Sequence, residues 1–189
     1  MSSYYSNEEL LQLGFKSVGQ NVMVSKKTSI YGISRIELGD HVRIDDFCFF
    51  SAGEGGIKIG SYIHISPFCS MAGKGAIIME DFSGLSSRVA VYSSSDDYSG
   101  ASLTNPTVPE SYKKVMHGDV ILQRHVIIGA GSIILPGVII GEGTAIGALS
   151  LVSKNVDPYK IATGNPLRVI KDRKKDLIEL EWKLKNELQ

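Results

Sequence analysis

The chain has 189 residues, and its 20 Lys and Arg balance 20 Asp and Glu to a formal charge of zero. That length suits one domain with at most a small appendage, and the dispersed basic residues, clustered only at 171–175, exclude a nucleic-acid binder. No apolar run reaches the ~20 residues that cross a bilayer, and residues 1–9 are polar and acidic without a signal-peptide core. The expectation is a cytoplasmic protein with neither nucleic acid nor membrane as partner.

Residues 7–14 predict a short helix. Asn7 can cap it, Glu8 and Glu9 suit its first turn, and Gly14 can end it. It would cover the open end of whatever follows, so residues 1–17 are read as a helical cap.

From residue 18 a period of six begins. Leu38, Ile44 and Phe50 form one series, Ile59, Ile65 and Met71 the next, and Met79, Leu85 and Val91 a third. The series start 21 and 20 residues apart, so each carries a small bulge, at Glu54-Gly55-Gly56 and at Gly73-Lys74-Gly75. These glycines read as turns; no GxGxxG opens a helix and no GxxxxGK is present. Cys48 and Cys69 fall at matching positions of neighbouring series. They are expected to be buried free thiols, and with no CxxC they give no zinc signature.

Residues 93–119 break the period. The segment holds Pro106, Pro109, several serines and Asp96-Asp97. A loop of this length inside a tight repeat is usually functional. The period then returns in its cleanest form, with Leu122, Ile128, Ile134, Ile140, Ile146 and Val152 at every sixth place and Gly129, Gly141, Gly147 and Ser153 directly after four of them. A helix repeats near 3.6 and a plain strand near 2. A sustained six, with β-branched residues and regular glycines, predicts a mainly β protein, a three-sided parallel β-helix over 18–157. An ordinary β-sandwich would not hold the register. The aliphatics point to the axis, and the glycines after them are expected to supply positive φ at sharp turns.

Beyond residue 157 the chain leaves the column. Asp157-Pro158 and Gly164-Asn165-Pro166 mark turns. Over 171–188, Leu177, Leu180, Leu184 and Leu188, with Ile178 and Trp182 beside them, predict an amphipathic C-terminal helix packed on the column or on a partner subunit.

The sextets, the stretch from Gly164-Asn165-Pro166-Leu167-Arg168 through Lys171 and the interposed loop resemble the hexapeptide-repeat acyltransferases. The match is to the galactoside, maltose and xenobiotic acetyltransferase branch, nearest to the sugar acetyltransferases of surface-polysaccharide (O-antigen, lipopolysaccharide) biosynthesis. The resemblance implies left-handed coils, a homotrimer, a loop reaching over a neighbouring subunit, and acetyl-CoA as co-substrate with no metal. It implies that backbone groups at Ala130 and Ala148 meet the pantetheine amides. Ser153, Lys154, Asn165, Pro166, Arg168 and Lys171 fall near the adenosine and phosphate end, where cations suit phosphates.

The same comparison puts Asp96 where the branch keeps a catalytic histidine, and Arg88 where it has a substrate-contacting asparagine. His117, at the end of the loop, is therefore a candidate base beside Asp96 and Asp97, and Arg88, Tyr98 and His125 are candidate substrate contacts. His41 and His64 sit at outward positions and read as surface residues. An imidazole near 6.5 suits base work at neutrality, whereas a carboxylate near 3.9 better orients an amine than deprotonates a hydroxyl. The expected activity is acetyl transfer to an amino or hydroxyl group of a sugar, possibly nucleotide-linked, by direct attack on the thioester. Two other readings use the same column: a non-catalytic scaffold, and a γ-type zinc carbonic anhydrase, which needs three converging histidines.

Overall fold

The computed structural model describes residues 3–187. Six coils are stacked into a column, each giving one short strand to each of three parallel sheets. The first sheet runs from Ser17–Val18 to Ile139–Ile140, the second from Met23–Val24, and the third from Ser29–Tyr31 to Leu151–Val152. A seventh coil begins with Val156 bridged to Ile140 and adds Lys160–Thr163 to the second sheet. Coils are numbered here from the N-terminus. The first corner joins the first sheet to the second, the second corner joins the second to the third, and the third corner leads to the next coil.

The expected register is present. Leu38, Ile59, Met79, Leu122 and Ile140 stack in the first sheet. Ile44, Ile65, Leu85, Ile128 and Ile146 stack in the second, and Phe50, Met71, Val91, Ile134 and Val152 in the third. All of these side chains are buried, so the core is one continuous axis. Near the corners the buried residues are small: Cys48, Cys69, Val89, Ser132 and Ser150 line the second corner. The buried hydroxyls donate to carbonyls, Ser150 to Gly147 at 2.7 Å and Thr144 to Asp157 at 2.8 Å, which removes the cost of burying them unpaired. Cys48 and Cys69 are buried and free.

The glycines after the aliphatics act differently from expectation. Gly129, Gly141 and Gly147 are needed for close approach: a Cβ on Gly129 would lie 2.4 Å from the Ala148 nitrogen, and one on Gly141 2.4 Å from that of Pro158. The positive φ falls two residues later, on Gly131, Gly143 and Leu149 with φ of 70, 66 and 55°, and lower in the column on His41 and Tyr62 with 55 and 58°. Coil spacing decides the glycines, and the corner then imposes the left-handed backbone on whatever residue comes next.

Helix α1 (Asn7–Gln12) is capped by Ser6 in place of Asn7. Ser6 Oγ accepts from the Glu9 N–H at 3.2 Å, and Glu9 Oε2 accepts from the Ser6 N–H at 2.7 Å, a capping box. Its Leu10 is buried in the end of the core.

The C-terminal segment also departs from expectation. Lys171 belongs to a strand, Arg168–Asp172, that turns back antiparallel on Lys160–Thr163. Helix α2 (Asp176–Glu187) follows, and Leu188 lies outside the described residues. The helix does not bury its apolar side in this chain: Leu180 and Trp182 stay 62% and 67% exposed. Its buried residue is Glu181, which accepts hydrogen bonds from Arg124 and Lys185 and pairs with His125 at 2.6 Å.

Candidate active site

The candidate residues fall into four places. Arg88, Ala130 and Ala148 share the second corner, on coils 4, 5 and 6. Gly131 donates its N–H to the Ser87 carbonyl and Leu149 to the Ala130 carbonyl, so the corner is laddered from coil to coil. Ala130 and Ala148 are both exposed there. Arg88 is exposed, with its guanidinium 5.4 Å from the Phe68 ring centre.

The loop leaves at the third corner of coil 4. Its base is a two-residue antiparallel pairing of Ser94–Ser95 with Met116–His117. Ser94 Oγ accepts the Lys74 N–H at 2.7 Å and lies 2.8 Å from His117 Nδ1. This leaves the other face of an exposed imidazole open beside the loop. Asp96, half-buried, follows the pairing, and its carboxylate has no hydrogen bond or ion pair among the described residues. Asp97 is engaged: its carboxylate accepts from the Ser99 N–H at 2.8 Å and the Ser102 hydroxyl at 3.0 Å. Those bonds, from Ser99 first, hold its carboxyl below the usual range. Tyr98 is 92% exposed.

The third place is the top of the third sheet. Ser153 and Lys154 leave coil 6 there, and together with Pro166 and Leu167 they line a cavity of about 320 Å³. Asn165 joins the group through its cis bond to Pro166. Arg168 and Lys171 lie on the exposed strand beyond.

His125 stands apart from all of these, and the expectation of an outward, substrate-facing imidazole is corrected. It is buried at the first corner, stacked on Phe82 with ring centres 5.2 Å apart and paired with Glu181. Sequence reasoning missed Glu181, although Glu181 and Lys185 at helical spacing and the adjacent Arg124-His125 were the available signal. His41 stacks on Tyr62 at 4.6 Å, and the exposed His64 pairs with Asp45 at 2.7 Å. His117 and His125 therefore sit at different corners, each with its own partner. Within one chain the two imidazoles do not converge.

Within one chain, the second-corner residues and the loop residues lie on opposite sides of strand Ala90–Tyr92. The three residues of that strand, ~10 Å of chain, separate the two groups.

The family model for bacterial transferase hexapeptide (six repeats) matches residues 119–154. An Escherichia coli protein, dTDP-4-amino-4,6-dideoxy-D-glucose acyltransferase, is 50% identical over 179 residues, covering 95% of this chain and 93% of its own. The chain belongs to the hexapeptide-repeat acyltransferases. Among solved acyltransferases, AntD from Bacillus cereus, an N-acyltransferase in complex with dTDP and 3-hydroxybutyryl-CoA, has a TM-score of 0.95 at 49% identity over 100% of this chain and 99% of its own. A serine variant of AntD with dTDP-4-amino-4,6-dideoxyglucose and coenzyme A superposes equally well, at a TM-score of 0.95 and 49% identity over 99% of each chain. The expected family and its acyl-transfer class thus hold across nearly the whole length of this acyltransferase, while the six-repeat signature covers only coils 5 and 6.

Proposed function

We propose that this acyltransferase moves an acyl group from coenzyme A to the amine of a nucleotide-linked 4-amino sugar, in a cleft between neighbouring columns of a cytoplasmic homotrimer. The observation that carries the reading is the half-identical relative named for that acceptor, and the resemblance that puts Asp96 where the sugar acetyltransferases keep a histidine supports it. The coenzyme's pantetheine runs down the second corner past Ala148 and Ala130. Its adenosine end lies by Ser153, Lys154, Asn165 and Pro166, with Arg168 and Lys171 as countercharges for phosphate.

The thioester then reaches coil 4. The AntD variants solved with ligands change a serine and an aspartate ten positions apart, and Ser86–Asp96 and Ser87–Asp97 both keep that spacing here. Because Asp97 is engaged within the loop, Asp96 is the better candidate. The amine nitrogen attacks the thioester carbon, the carbonyl oxygen becomes an oxyanion, and the nitrogen becomes an ammonium. Asp96 orients the amine and stabilises that ammonium, and His117 carries its proton away. The oxyanion collapses, the carbon–sulfur bond breaks, and His117 gives the proton it took to the sulfur, so that coenzyme A leaves as the thiol. An amine near neutrality needs orientation more than a strong base, which suits a carboxylate. The product would feed the synthesis of a surface polysaccharide, lipopolysaccharide included.

The test follows thiol release from acetyl-CoA and 3-hydroxybutyryl-CoA with dTDP-4-amino-4,6-dideoxyglucose, its 4-hydroxy counterpart and maltose. Transfer to the amino sugar alone, by a species of three chains in light scattering, is expected. Transfer only to hydroxyl sugars, or full activity in a single chain, would overturn the reading.

A further inference from the structure

The bulge Gly73-Lys74-Gly75 lies at the third corner of coil 3, one coil beneath the base of the loop, and it grips both strands of that base. Gly73 holds φ 141°, and a Cβ there would strike the Ser93 hydroxyl. The fully buried Ser93 donates that hydroxyl to the Gly75 carbonyl at 2.7 Å. On the returning strand, a Cβ on Gly75 would lie 3.0 Å from the Gly118 carbonyl, and the Ala76 N–H donates to the Asp119 carboxylate at 2.8 Å. The bulge thus sits flush against Ser93 and Ser94 on one side and His117 and Gly118 on the other. The Lys74 ammonium takes no part, being paired with Glu54 at 3.2 Å. Its backbone N–H does, by donating to Ser94 Oγ at 2.7 Å.

That bond limits what Ser94 can offer His117. A hydroxyl has two acceptor lone pairs and one proton, and the Lys74 N–H occupies one lone pair. His117 Nδ1, 2.8 Å away, meets either the other lone pair or the proton. The two cases give opposite chemistry, because the hydrogen bond at one ring nitrogen sets the protonation of the other. If the hydroxyl donates, Nδ1 is bare, Nε2 carries the proton, and the nitrogen open to the loop can accept nothing. If Nδ1–H donates, Nε2 is the bare nitrogen and is basic. The Oγ proton then turns to solvent, which the half-buried Ser94 still reaches.

We infer that Ser94 is a positioning residue of the acyl transfer: its hydroxyl accepts the Nδ1 proton of His117 and leaves Nε2 free to take the proton of the ammonium and pass it to the sulfur. The inference rests on the reading that His117 carries that proton. The Nδ1–H bond is the same before and after Nε2 is protonated, so the ring need not turn between the two transfers. The cross-strand pairing of Ser94 with His117 sets the distance, and the bulge holds the oxygen from its other side.

Wild type, Ser94→Ala, Ser94→Thr and His117→Asn are compared in steady-state kinetics with each substrate varied. The same proteins, labelled with nitrogen-15 histidine, are compared in ring-nitrogen shifts at about pH 8.5, where an ordinary imidazole is neutral. The signal missing from His117→Asn identifies His117. Wild type is expected to carry the proton on Nδ1. Ser94→Ala should move it to Nε2 and lower kcat about tenfold, with the KM of both substrates within twofold. Ser94→Thr, which keeps the hydroxyl, should restore the tautomer and most of kcat. A wild-type proton on Nε2, a tautomer indifferent to Ser94→Ala, or a loss in Ser94→Ala that falls wholly in KM would overturn the positioning role. If the tautomer responds as stated but His117→Asn turns over like wild type, the hydrogen bond stands and the proton-carrying reading falls. If His117→Asn is slow and Ser94→Ala is not, that reading stands and the positioning role falls.

Discussion

Asp96 and Asp97 are adjacent, yet the loop uses them differently. Asp97 accepts two hydrogen bonds that brace the loop's first turn, and Asp96 has no partner among the described residues. On the proposed mechanism Asp96→Asn keeps the shape and loses the charge that stabilises the ammonium, so kcat should fall roughly 10²-fold with the KM for acyl-CoA little changed. Asp97→Asn should act through loop order, raising the sugar KM more than it lowers kcat. Steady-state kinetics with each substrate varied in turn separates the two, and equal effects on kcat would remove the distinction. At this scale the sequence was half legible. It marked both carboxylates and His117. It could not say which carboxylate was engaged, because Ser99 and Ser102 matter only once the loop has turned. The glycines mislead in a related way: a missing side chain can serve positive φ or close approach, and only the stacked backbone of the next coil tells which.

Helix α2 is the element whose docking periodicity did not foresee. Its leucines suggested an apolar face against the column or a partner subunit, and in this chain Glu181 is the residue buried, beneath Arg124, His125 and Lys185. Burial alone would raise the Glu181 pKa; bonds from Lys185, Arg124 and His125 outweigh it and hold the carboxyl at about 2, against 4.5 for an ordinary glutamate. The folded pKa lies below the unfolded one, so the stabilisation is fully present above about pH 4.5 and is lost as pH falls toward about 2. Allowing for the water around Arg124 and Lys185, it amounts to roughly 2 kcal/mol. Hydrogen exchange should show α2 amides losing protection across that pH range while the coils keep theirs. Glu181→Ala should release the helix at neutral pH at a cost of about 3 kcal/mol. If α2 protection proves insensitive to both, its attachment comes from its exposed apolar side chains meeting another copy. Tertiary ion pairs of this kind are hard to foresee because they join residues 56 apart in the chain, whereas the sextets repeat a local rule and were read with the right register from Leu38 to Val152.

In the whole molecule, the candidate residues are distributed by height and by corner. Coils 5 and 6 are the most regular, and there the second corner carries Ala130 and Ala148, two of the residues proposed for the coenzyme. The four lower coils are less regular, and their second corner carries Arg88, Phe68 and Phe47. The family signature lies in the upper two coils. In the lower coils the stacking of Phe47 on Phe68 carried no signal, because a phenylalanine at a turn shows nothing until the coils are stacked and the rings line up. The split of the candidates between two corners was equally hidden: linear sequence sets Arg88 and Asp96 eight positions apart, and strand Ala90–Tyr92 then carries them to opposite edges of one face.

The reversal at Lys160–Thr163 has a consequence for solubility. A parallel stack has no natural end, and the last rung of each sheet offers unpaired N–H and C=O groups to any passing chain. Here Arg168–Asp172 folds back on the second sheet with opposite polarity, and Arg168, Lys171 and Asp172 line the new margin with charge. A truncation ending at Thr163 should therefore leave a column that still winds but joins tip to tip into filaments, visible as scattering that grows with concentration. A truncated chain that stayed dispersed would mean that the growing end is guarded by something other than this turned-back strand.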